Sequence, residues 1–299
     1  MMLGIKSAVF SLVNRAGIAA LWRKLYQHRV ATILCYHDPA PEVVTRHLDW
    51  LSKHYNMISL EDYLSWRKGQ KAQLPSCALV VTLDDGHSGN ATLLDVFRHH
   101  GVQPAIFLCS DIVGTKRHFW WQGVASESRR QFLKRLPDAA RLVALRESGF
   151  EETQEYADRS ALSSEEIGAM QSTVDFQAHT RLHPVLPMCD EQRARDEISG
   201  CKRILAERFG LETWAFAYPN GDYCDRDVRL VKEAGFDCAL TIDAGFNDAK
   251  TDLFRLKRIL IPDNAGLNEL SVKASGFWSF LMRMSGKKPP FGYYATHEK

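Results

Sequence analysis

The chain has 299 residues, of which 45% are hydrophobic and 25% are charged. This composition is typical of a soluble globular protein and excludes a disordered or fibrous one. The 38 basic and 36 acidic side chains give a formal net charge of +2, so nucleic acid is not an expected partner, because phosphate binding needs a concentrated basic surface. The seven cysteines are odd in number and include no Cys-x-x-Cys pair. They predict neither a disulfide framework nor a Cys-type zinc site, and they favour a reducing compartment.

The first 28 residues are both apolar and basic. The apolar run is interrupted at Asn14 and Arg15, so it lacks the uninterrupted centre of a signal peptide, and no run of 18 apolar residues predicts a membrane-spanning helix. Residues 1–28 are instead predicted to form an amphipathic helix. Such a helix either packs on its own domain or lies on a membrane surface. The expected location is therefore cytoplasmic, with peripheral contact at the inner membrane face as the second reading.

From residue 29 onward, short apolar runs alternate with helical stretches. The runs are continuous in hydrophobicity, as in buried parallel strands, and the predicted strands are 31–36, 78–83, 105–108, 174–178, 214–217, 236–241 and 258–261. The predicted helices are 41–55, 60–68, 91–100, 164–171, 190–209 and 225–234. Strands that alternate with helices predict an α/β protein with a parallel sheet or barrel.

Two segments depart from this alternation. Residues 111–162 contain three consecutive aromatic residues and then a charged helical run, which predicts either an inserted helical lid over an active site or a helical excursion without function. Residues 266–299 are apolar, aromatic and basic, which predicts a closing C-terminal helix with a tail, or a second interfacial patch. The core domain is accordingly placed at 29–265.

Three short motifs each follow a predicted strand. They are Asp84-Asp85-Gly86, His179-Thr180-Arg181-Leu182-His183-Pro184 and Phe216-Ala217-Tyr218-Pro219-Asn220-Gly221. The carboxyl ends of parallel strands face the catalytic mouth of an α/β fold. Adjacent carboxylates point in different directions, so one can ligate a metal while the other reaches a water. Two histidines four apart can aim at one ion, and the Pro-Asn-Gly turn can expose backbone N–H groups to an oxyanion.

Together the three motifs resemble those of the polysaccharide deacetylases of carbohydrate esterase family 4. The resemblance covers roughly residues 30–262 and matches the family's Asp-Asp-Gly, His-(Ser/Thr)-x-x-His-Pro and Phe-Ala-Tyr-Pro-x-Gly motifs in the same order. It implies a distorted (β/α) barrel and one divalent metal. Zn²⁺ is favoured, with Co²⁺, Ni²⁺ and Fe²⁺ as alternatives, because such sites select metals by availability as much as by affinity.

The resemblance also implies roles for individual residues. Asp85, His179 and His183 are expected to ligate the metal, and Asp84 to act as the general base. Two histidines and one carboxylate leave positions open for water and a substrate carbonyl, and a metal lowers the pKa of bound water from 15.7 toward about 7. The backbone N–H of Tyr218 is expected to hold the developing oxyanion together with the metal.

The general acid is where the sequence departs from the common pattern. Many family members use a late histidine, but the only histidine after His183 is His297, near the C-terminus. Another branch of the family has an N-terminal strand that ends in Tyr-His, as Tyr36-His37 does here. We therefore expect His37 to be the general acid; its alternative is a structural histidine at a strand end. The resemblance favours Arg258 as the residue that orients Asp84.

Aromatic residues and turn residues supply the expected substrate contacts. Trp120 and Trp121 either stack on a sugar ring or anchor a loop in a core, and Pro219 is expected beside the substrate. His87 follows the Asp-Asp-Gly motif where the family usually has an aromatic residue. We expect it outside the metal shell, either lining the mouth of the site or filling the aromatic's place.

The expected function is removal of N-acetyl groups from an amino sugar of a polysaccharide or lipid-linked glycan, in bacterial exopolysaccharide synthesis. One alternative is an amidase or deformylase that uses the same metal site on a small molecule or nucleotide-linked sugar, since function depends on the site and not on the fold. A non-catalytic glycan-binding homologue is the third hypothesis. No Gly-x-Ser-x-Gly elbow, P-loop or Gly-x-Gly-x-x-Gly motif supports another chemistry, and the oligomeric state stays open.

Overall fold

The computed structural model describes residues 2–285, so His297 and the predicted tail beyond residue 285 lie outside the described residues. Within them, the helices are α1 (Met2–Arg15), α2 (Ile18–Tyr26), α3 (Pro41–Leu51), α4 (Leu60–Arg67), α5 (Leu94–His100), α6 (Glu127–Leu133), α7 (Asp138–Arg146), α8 (Ser164–Met170), α9 (Glu191–Phe209), α10 (Asp225–Glu233), α11 (Leu267–Ala274) and α12 (Phe277–Met284). The strands are β1 (Ala31–Tyr36), β2 (Asn56–Met57), β3 (Ala78–Leu83), β4 (Ala105–Leu108), β5 (Asp175–Ala178), β6 (Ala215–Ala217), β7 (Cys238–Leu240) and β8 (Ile259–Leu260).

The strands form one parallel sheet in the order β7-β6-β5-β4-β3-β1-β8, with β2 beside β3. All residues of β1 and β3 are buried, as their continuous apolar runs predict. The segment before β8 joins the two edges of the sheet. Thr241 N–H donates to the Leu256 carbonyl at 2.8 Å and Leu256 N–H donates to Ala239 at 2.9 Å, while β8 itself pairs with β1. The sheet therefore curls into a distorted barrel with flanking helices, which confirms the predicted fold.

Helix α4 packs against a cluster of small and apolar side chains from alternate positions of the strands. Leu60, Tyr63 and Leu64 of α4 belong to the same buried cluster as alternate residues of β1 and β3. Ser59 fixes the start of α4, because its side chain accepts from Asp62 N–H and the Asp62 side chain accepts from Ser59 N–H. In parallel barrels the carboxyl ends of the strands are the place for a site.

Most elements match their predicted bounds, and the differences have local causes. β1, β3 and β4 begin and end at the predicted residues. The helix predicted over 41–55 ends at Leu51, because a turn over 52–55 leads into β2. Strand β2 was not predicted: it is two residues long and not fully buried, so it leaves no apolar run. The helix predicted over 91–100 begins as a 3₁₀ turn over Ser88–Leu93.

The N-terminal segment, predicted as one helix over 1–28, is two helices. Gly17 lies between α1 and α2 with φ of 70°, a left-handed conformation that favours glycine and ends a helix. Phe10, Val13 and Ala19 pack with Val272 of α11 in a buried cluster. The terminal helices therefore pack on each other beside the barrel. No helix among residues 2–285 is long and apolar enough to cross a membrane.

The 111–162 segment lies between β4 and α8 and contains helices α6 and α7. It has a small core of its own, built from Trp120, Leu133, Leu145 and Phe150. Glu152 attaches it to the barrel helices, because Arg193 of α9 donates to Glu152 Oε2 at 2.8 Å. This attachment holds α6 beside the carboxyl ends of the strands.

Candidate active site

The first motif places two buried carboxylates directly after β3. Asp84 accepts hydrogen bonds from both terminal nitrogens of Arg258, each at 2.7 Å. Burial alone would raise the pKa of Asp84, but the Arg258 guanidinium and the His179 imidazole hold the pKa of Asp84 below its usual value. Asp84 is therefore ionised at neutral pH and fixed in one orientation.

Arg258 reaches Asp84 from just before β8, on the far side of β1. Its side chain is fully buried, and its Nε donates to the Thr241 carbonyl at 2.8 Å. The guanidinium also lies 5.6 Å from the ring centroid of Phe107, a distance at which a cation is attracted to an aromatic face. These contacts restrict Arg258 to the orientation that holds Asp84, which is the position expected from the sequence.

Asp85, His179 and His183 converge on one point. Asp85 Oδ1 lies 3.4 Å from His179 Nε2 and 3.2 Å from His183 Nε2, and one donor atom from each residue lies within 4.8 Å of the other two. All three side chains are buried, and Asp85 Oδ1 has no hydrogen-bond partner. Two ligands held about 2.1 Å from one ion at a tetrahedral angle would lie roughly 3.4 Å apart. The donor set therefore fits a divalent cation, although it does not by itself select one metal.

The protonation of both histidines suits metal binding. His179 Nδ1 lies 2.7 Å from the Ala217 carbonyl at the end of β6, so Nδ1 carries a proton and Nε2 faces Asp85. Burial alone would lower the pKa of His179, but the Asp84 and Asp85 carboxylates raise it above its usual value, and a divalent cation at Nε2 would take the place of the second proton. Burial lowers the pKa of His183 to about 4, so its imidazole is neutral at pH 7. Neutral imidazoles are the form that coordinates metals.

The backbone at this site is held in an unusual conformation. Asp85, Thr180, His183 and Asn220 all have left-handed φ angles, between 57° and 74°. Among the described residues, Cys77 is the one other non-glycine residue with a positive φ. Such conformations cost on the order of 1–3 kcal/mol each and concentrate at functional sites. The four strained residues belong to all three motifs, so the surrounding fold holds the motifs in place together.

Glu197 of α9 holds the loop between the two histidines. Its Oε2 accepts from the backbone N–H groups of Arg181 at 2.8 Å and Leu182 at 2.9 Å. Sequence reasoning missed this residue, since it lies fourteen positions after His183 in a helix with many charged residues. The available signal is its position on the buried face of α9, beside Ile198 and Cys201.

A cavity of about 320 Å³ opens over these groups. Its lining comes from the segments that follow the strands and from the inserted segment 111–162. The lining residues are His37, Asp84, Asp85, His87, Trp120, Trp121, Glu127, Arg130, Lys134, His179, His183, Asn220 and Ile242. Glu127, Arg130 and Lys134 were not identified from the sequence, which singled out only Trp120 and Trp121 in the inserted segment.

His37 lies half-buried at the wall of this cavity. One of its ring nitrogens lies within 4.8 Å of both the Asp84 carboxylate and Cys35 Sγ. These three groups do not form a second metal site, because both oxygens of Asp84 are bonded to Arg258 and burial raises the pKa of the Cys35 thiol well above its usual value. The position leaves the imidazole of His37 facing the cavity beside the expected base.

The structure corrects the expectation for Tyr218. Its backbone N–H donates to the Leu240 carbonyl at 3.0 Å, so it belongs to the hydrogen bonds between β6 and β7 and is not free to hold an oxyanion. Two residues later, Asn220 lines the cavity, and its side-chain Nδ2 is buried without a hydrogen-bond partner. Pro219, expected beside the substrate, is buried outside the lining of the cavity. Asn220 was not singled out in the sequence, where it reads as a turn residue.

Trp120 and Trp121 have different environments. Trp120 is 1% exposed, and its indole N–H donates to the His183 carbonyl at 3.1 Å. This corrects the sugar-stacking expectation for Trp120, since its ring has no free face, and favours the loop-anchoring alternative. Trp121 is half-buried at the cavity, with its ring centroid 4.5 Å from that of His183. It keeps a surface on which a sugar could stack.

His87, expected outside the metal shell, lines the cavity and contacts Asp85. Its ring lies 4.8 Å from that of Phe119, and its Nε2 lies 3.0 Å from Asp85 Oδ2. That oxygen is not the one that faces the two histidines. His87 therefore holds the second oxygen of Asp85 and lies outside the cluster of three donors.

A parallel barrel with this carboxylate–histidine cluster at the carboxyl ends of its strands has a donor set that could hold a divalent cation for hydrolysis. A protein-family model described as polysaccharide deacetylase matches residues 71–239, which is more than half of the chain. The chain therefore belongs to the polysaccharide deacetylase family and is a de-N-acetylase hydrolase. No curated protein sequence matches the chain.

Solved structures of the family have the same fold. The deacetylase PplD of Streptococcus pyogenes superposes with a TM-score of 0.61 at 17% identity, covering 83% of this chain and 99% of that one. IcaB of Ammonifex degensii gives 0.60 at 18% identity, covering 84% and 98%. The BpsB deacetylase domain of Bordetella bronchiseptica gives 0.57 at 14% identity, covering 78% and 96%. At these identities the likeness concerns the fold.

Proposed function

We propose that this protein removes N-acetyl groups from an amino sugar of a polysaccharide or lipid-linked glycan with the help of one divalent cation. The observation that carries the proposal is the convergence of Asp85, His179 and His183 beside the Asp84–Arg258 pair, in one cavity. The family match supports glycan de-N-acetylation. The PplD deacetylase is described in complex with acetate, which is a product of this reaction.

Asp85, His179 and His183 would hold the cation, for which Zn²⁺ is favoured and Co²⁺, Ni²⁺ or Fe²⁺ are alternatives. When bound, such a cation supplies Lewis acidity, which lowers the pKa of water and polarises the amide carbonyl. Trp120 and Glu197 support the ligands, since they bond the backbone of His183 and of the two residues before it.

Asp84 and His37 supply the proton transfers. Asp84 accepts a proton from the attacking water as the new C–O bond forms, and Arg258 keeps its carboxylate ionised and oriented. His37 donates a proton to the departing amine as the C–N bond breaks. Both side chains line the same cavity, and a ring nitrogen of His37 lies within 4.8 Å of the Asp84 carboxylate.

The side chain of Asn220 replaces Tyr218 as the protein's oxyanion donor in this proposal. Its buried Nδ2 has no partner and lines the cavity, so it can donate to the carbonyl oxygen as negative charge develops there. Removing a single oxyanion donor typically costs 10²–10³ in kcat. We expect Asn220→Ala to lower kcat by roughly that factor and to change KM little.

Acetate release from N-acetylglucosamine oligomers by the metal-loaded protein tests the reaction. Asp84→Asn is expected to abolish release, whereas Asp95→Asn makes the same chemical change at an exposed position and is expected to leave release unchanged. Release that persists in Asp84→Asn would contradict the assignment of the base. No release from any N-acetylated glycan by a protein that holds one metal would redirect the search to other amides.

Metal content tests the cation separately from turnover. His179→Ala is expected to lower bound metal, measured by elemental analysis after dialysis, from about one ion per chain to nearly none. His99→Ala is the matched control, because His99 is exposed on α5. Equal metal content in both variants would contradict the proposed ligand set.

We also propose that the protein works in the cytoplasm, in contact with the inner membrane face. Two observations support this location. Its cysteines are all unpaired, which suits a reducing compartment. The terminal helices present an exposed apolar face, formed by Leu12 (68% exposed), Leu21 (58%) and Leu25 (58%). Arg15 and Lys24 are exposed in the same helices, and cations of this kind complement anionic lipids.

Sedimentation with vesicles tests this location. Vesicles that contain phosphatidylglycerol are expected to bind the protein, and the pair Leu21→Glu and Leu25→Glu is expected to lower binding at least tenfold. Val143→Glu alters an exposed apolar residue of α7 and serves as the control. Equal binding by both variants would contradict the proposed face.

A further inference from the structure

The inserted helix α6 brings two cations to the catalytic cavity. Arg130 lies on α6 and Lys134 directly follows it, and residues four apart lie on the same side of a helix. Both line the cavity together with Asp85 and His183. The neighbouring cations Arg129 and Arg135 are exposed and do not line it. The segment thus directs one of its two pairs of cations at the place where the substrate binds.

Lys134 makes no close ion pair that would explain its position, although the charges of Asp222, Glu127 and Asp85 act on it from a distance. In the part of the chain that the structure describes, no carboxylate lies within 4.0 Å of its Nζ, although the side chain is half-buried. Burial lowers the pKa of Lys134 from its usual value, and the charges of Asp222 and Glu127 offset this only in part, which reflects the cost of removing an ammonium group from water. A structural lysine at such a position would be expected to pair or to reach solvent.

The charges of the cavity do not require this lysine either. Asp84 is neutralised by Arg258, and Glu127 lies 3.1 Å from Arg130. Asp85 faces the two histidines where a divalent cation would bind. Asp222, whose charge also acts on Lys134, is buried and does not line the cavity. The ammonium group of Lys134 therefore lines the cavity without a close ion pair, which suits a ligand that carries a negative charge.

We propose that Lys134, with Arg130, binds an anionic group of the substrate, a phosphate or a carboxylate attached near the N-acetylated sugar. This proposal rests on the proposed function, because it assigns the substrate class of the same site. A lipid-linked or nucleotide-linked sugar would supply the phosphate, and an acidic polysaccharide would supply the carboxylate. In both cases the substrate presents a negatively charged oxygen to α6 and Lys134 while its acetamido group lies at Asp84.

Binding measurements can separate this subsite from catalysis. The metal-loaded, full-length Asp84→Asn protein is titrated calorimetrically with N-acetylglucosamine, N-acetylglucosamine 1-phosphate and N-acetylglucosaminuronic acid. We expect at least one charged probe to bind tenfold or more tightly than the neutral sugar, with a preference that decreases as salt is added. The charged probe that is preferred identifies the source of the anion.

Variants of the lid then assign the preference to its residues. Adding Lys134→Met is expected to reduce the preference for the charged probe about tenfold, whereas Lys134→Arg keeps most of it. Arg135→Met removes the neighbouring, exposed cation and is expected to keep the preference intact. Circular dichroism of Lys134→Met verifies its fold, and the Lys134→Arg result holds even if the methionine variant is unstable.

Two outcomes overturn the proposal. One is equal binding, or no binding, of all three probes by the Asp84→Asn protein. The other is a preference that survives Lys134→Met, because the metal alone would then attract the anion. Acetate release by the metal-loaded wild-type protein is measured separately, on neutral oligomers and on the three probes. A preference that depends on Lys134 without acetate release from any probe would leave the subsite standing and contradict the deacetylase reaction.

Discussion

The Asp84–Arg258 ion pair matters both for the stability of the fold and for the proposed chemistry. Both side chains are almost fully buried and share two hydrogen bonds. A buried ion pair gains little over apolar residues of similar size, but removing one partner leaves a charge that is neither solvated nor compensated. The main effect of the pair is therefore to keep Asp84 ionised inside the barrel, because the charge of Arg258 offsets the desolvation cost of the buried carboxylate.

Arg258→Met is expected to lower the free energy of unfolding by about 3–5 kcal/mol, because it strands the Asp84 charge. Urea unfolding followed by circular dichroism measures the change. The free energy of unfolding of the double variant Asp84→Asn with Arg258→Met is expected to fall by clearly less than the sum of the decreases in the two single variants, since no buried charge remains. Additive losses would mean that the two side chains do not depend on each other.

At the residue scale, the sequence predicts best what lies within a short motif. Asp85, His179 and His183 stand in two such motifs, and the structure brings them together. Tyr218 and Asn220 lie two residues apart in a third motif, yet only Asn220 is free to donate, because the backbone N–H of Tyr218 belongs to the hydrogen bonds between β6 and β7. Lys134 lies in no motif, and only the packing of the inserted segment places it at the cavity.

At the scale of elements, α9 determines the shape of the histidine loop. Glu197 is completely buried and accepts two backbone N–H groups from residues between His179 and His183. Without this acceptor, two buried donors would be left unsatisfied, at about 1–3 kcal/mol each. The helix thus stabilises the positive φ of His183 from outside the barrel.

Glu197 also predicts a dependence of stability on pH. Burial raises the pKa of Glu197 to about 7, so the native state keeps a proton that the unfolded chain releases near pH 4.5. The contribution of Glu197 to the free energy of unfolding is therefore largest below pH 4.5. It declines as pH rises toward 7, by at most about 1.4 kcal/mol per pH unit. Glu197→Gln is expected to remove this decline, which urea unfolding at a series of pH values can measure.

Two comparisons complete this prediction. Glu197→Ala is expected to be less stable than Glu197→Gln at every pH, because the amide oxygen of glutamine can still accept from Arg181 and Leu182. Glu207→Gln changes an exposed carboxyl of the same helix and is expected to leave the wild-type pH dependence in place. A wild-type slope retained by Glu197→Gln would show that Glu197 is ionised throughout this pH range.

The elements themselves differ in how well the sequence predicts them. Strands β1, β3 and β4 are recovered to the residue because burial on both faces requires a continuous apolar run. The closure of the barrel at Leu256 leaves no such run in the sequence, because it depends on only two backbone hydrogen bonds of Leu256, to Ala239 and Thr241 beside β7. The interruption between α1 and α2 at Gly17 is local in sequence, yet a glycine inside an apolar helical pattern does not by itself predict a left-handed backbone conformation.

At the scale of the whole molecule, the two ends of the chain depend on each other. Asn14 of α1 donates to the backbone carbonyl and the side chain of Asn268, and Ser271 donates to Asn14. Trp22 contacts the rings of Phe277 and Phe280. One face of the N-terminal helices is therefore part of the fold, while the opposite face exposes Leu21 and Leu25 and remains free for the proposed membrane contact.

Deleting residues 1–26 is expected to destabilise the protein. The deletion removes Phe10 and Val13, and fully burying such side chains contributes about 1.5–3 kcal/mol each. It also uncovers Val272. We expect a loss of roughly 3–6 kcal/mol and a fall in Tm of at least about 5 °C, measured by calorimetry on protein without lipid. Leu21→Ser, which changes only the exposed face, is expected to stay within about 0.5 kcal/mol of wild type. An unchanged Tm after the deletion would mean that the N-terminal helices serve the membrane contact alone, because their packing on α11 would then contribute nothing to the stability of the barrel.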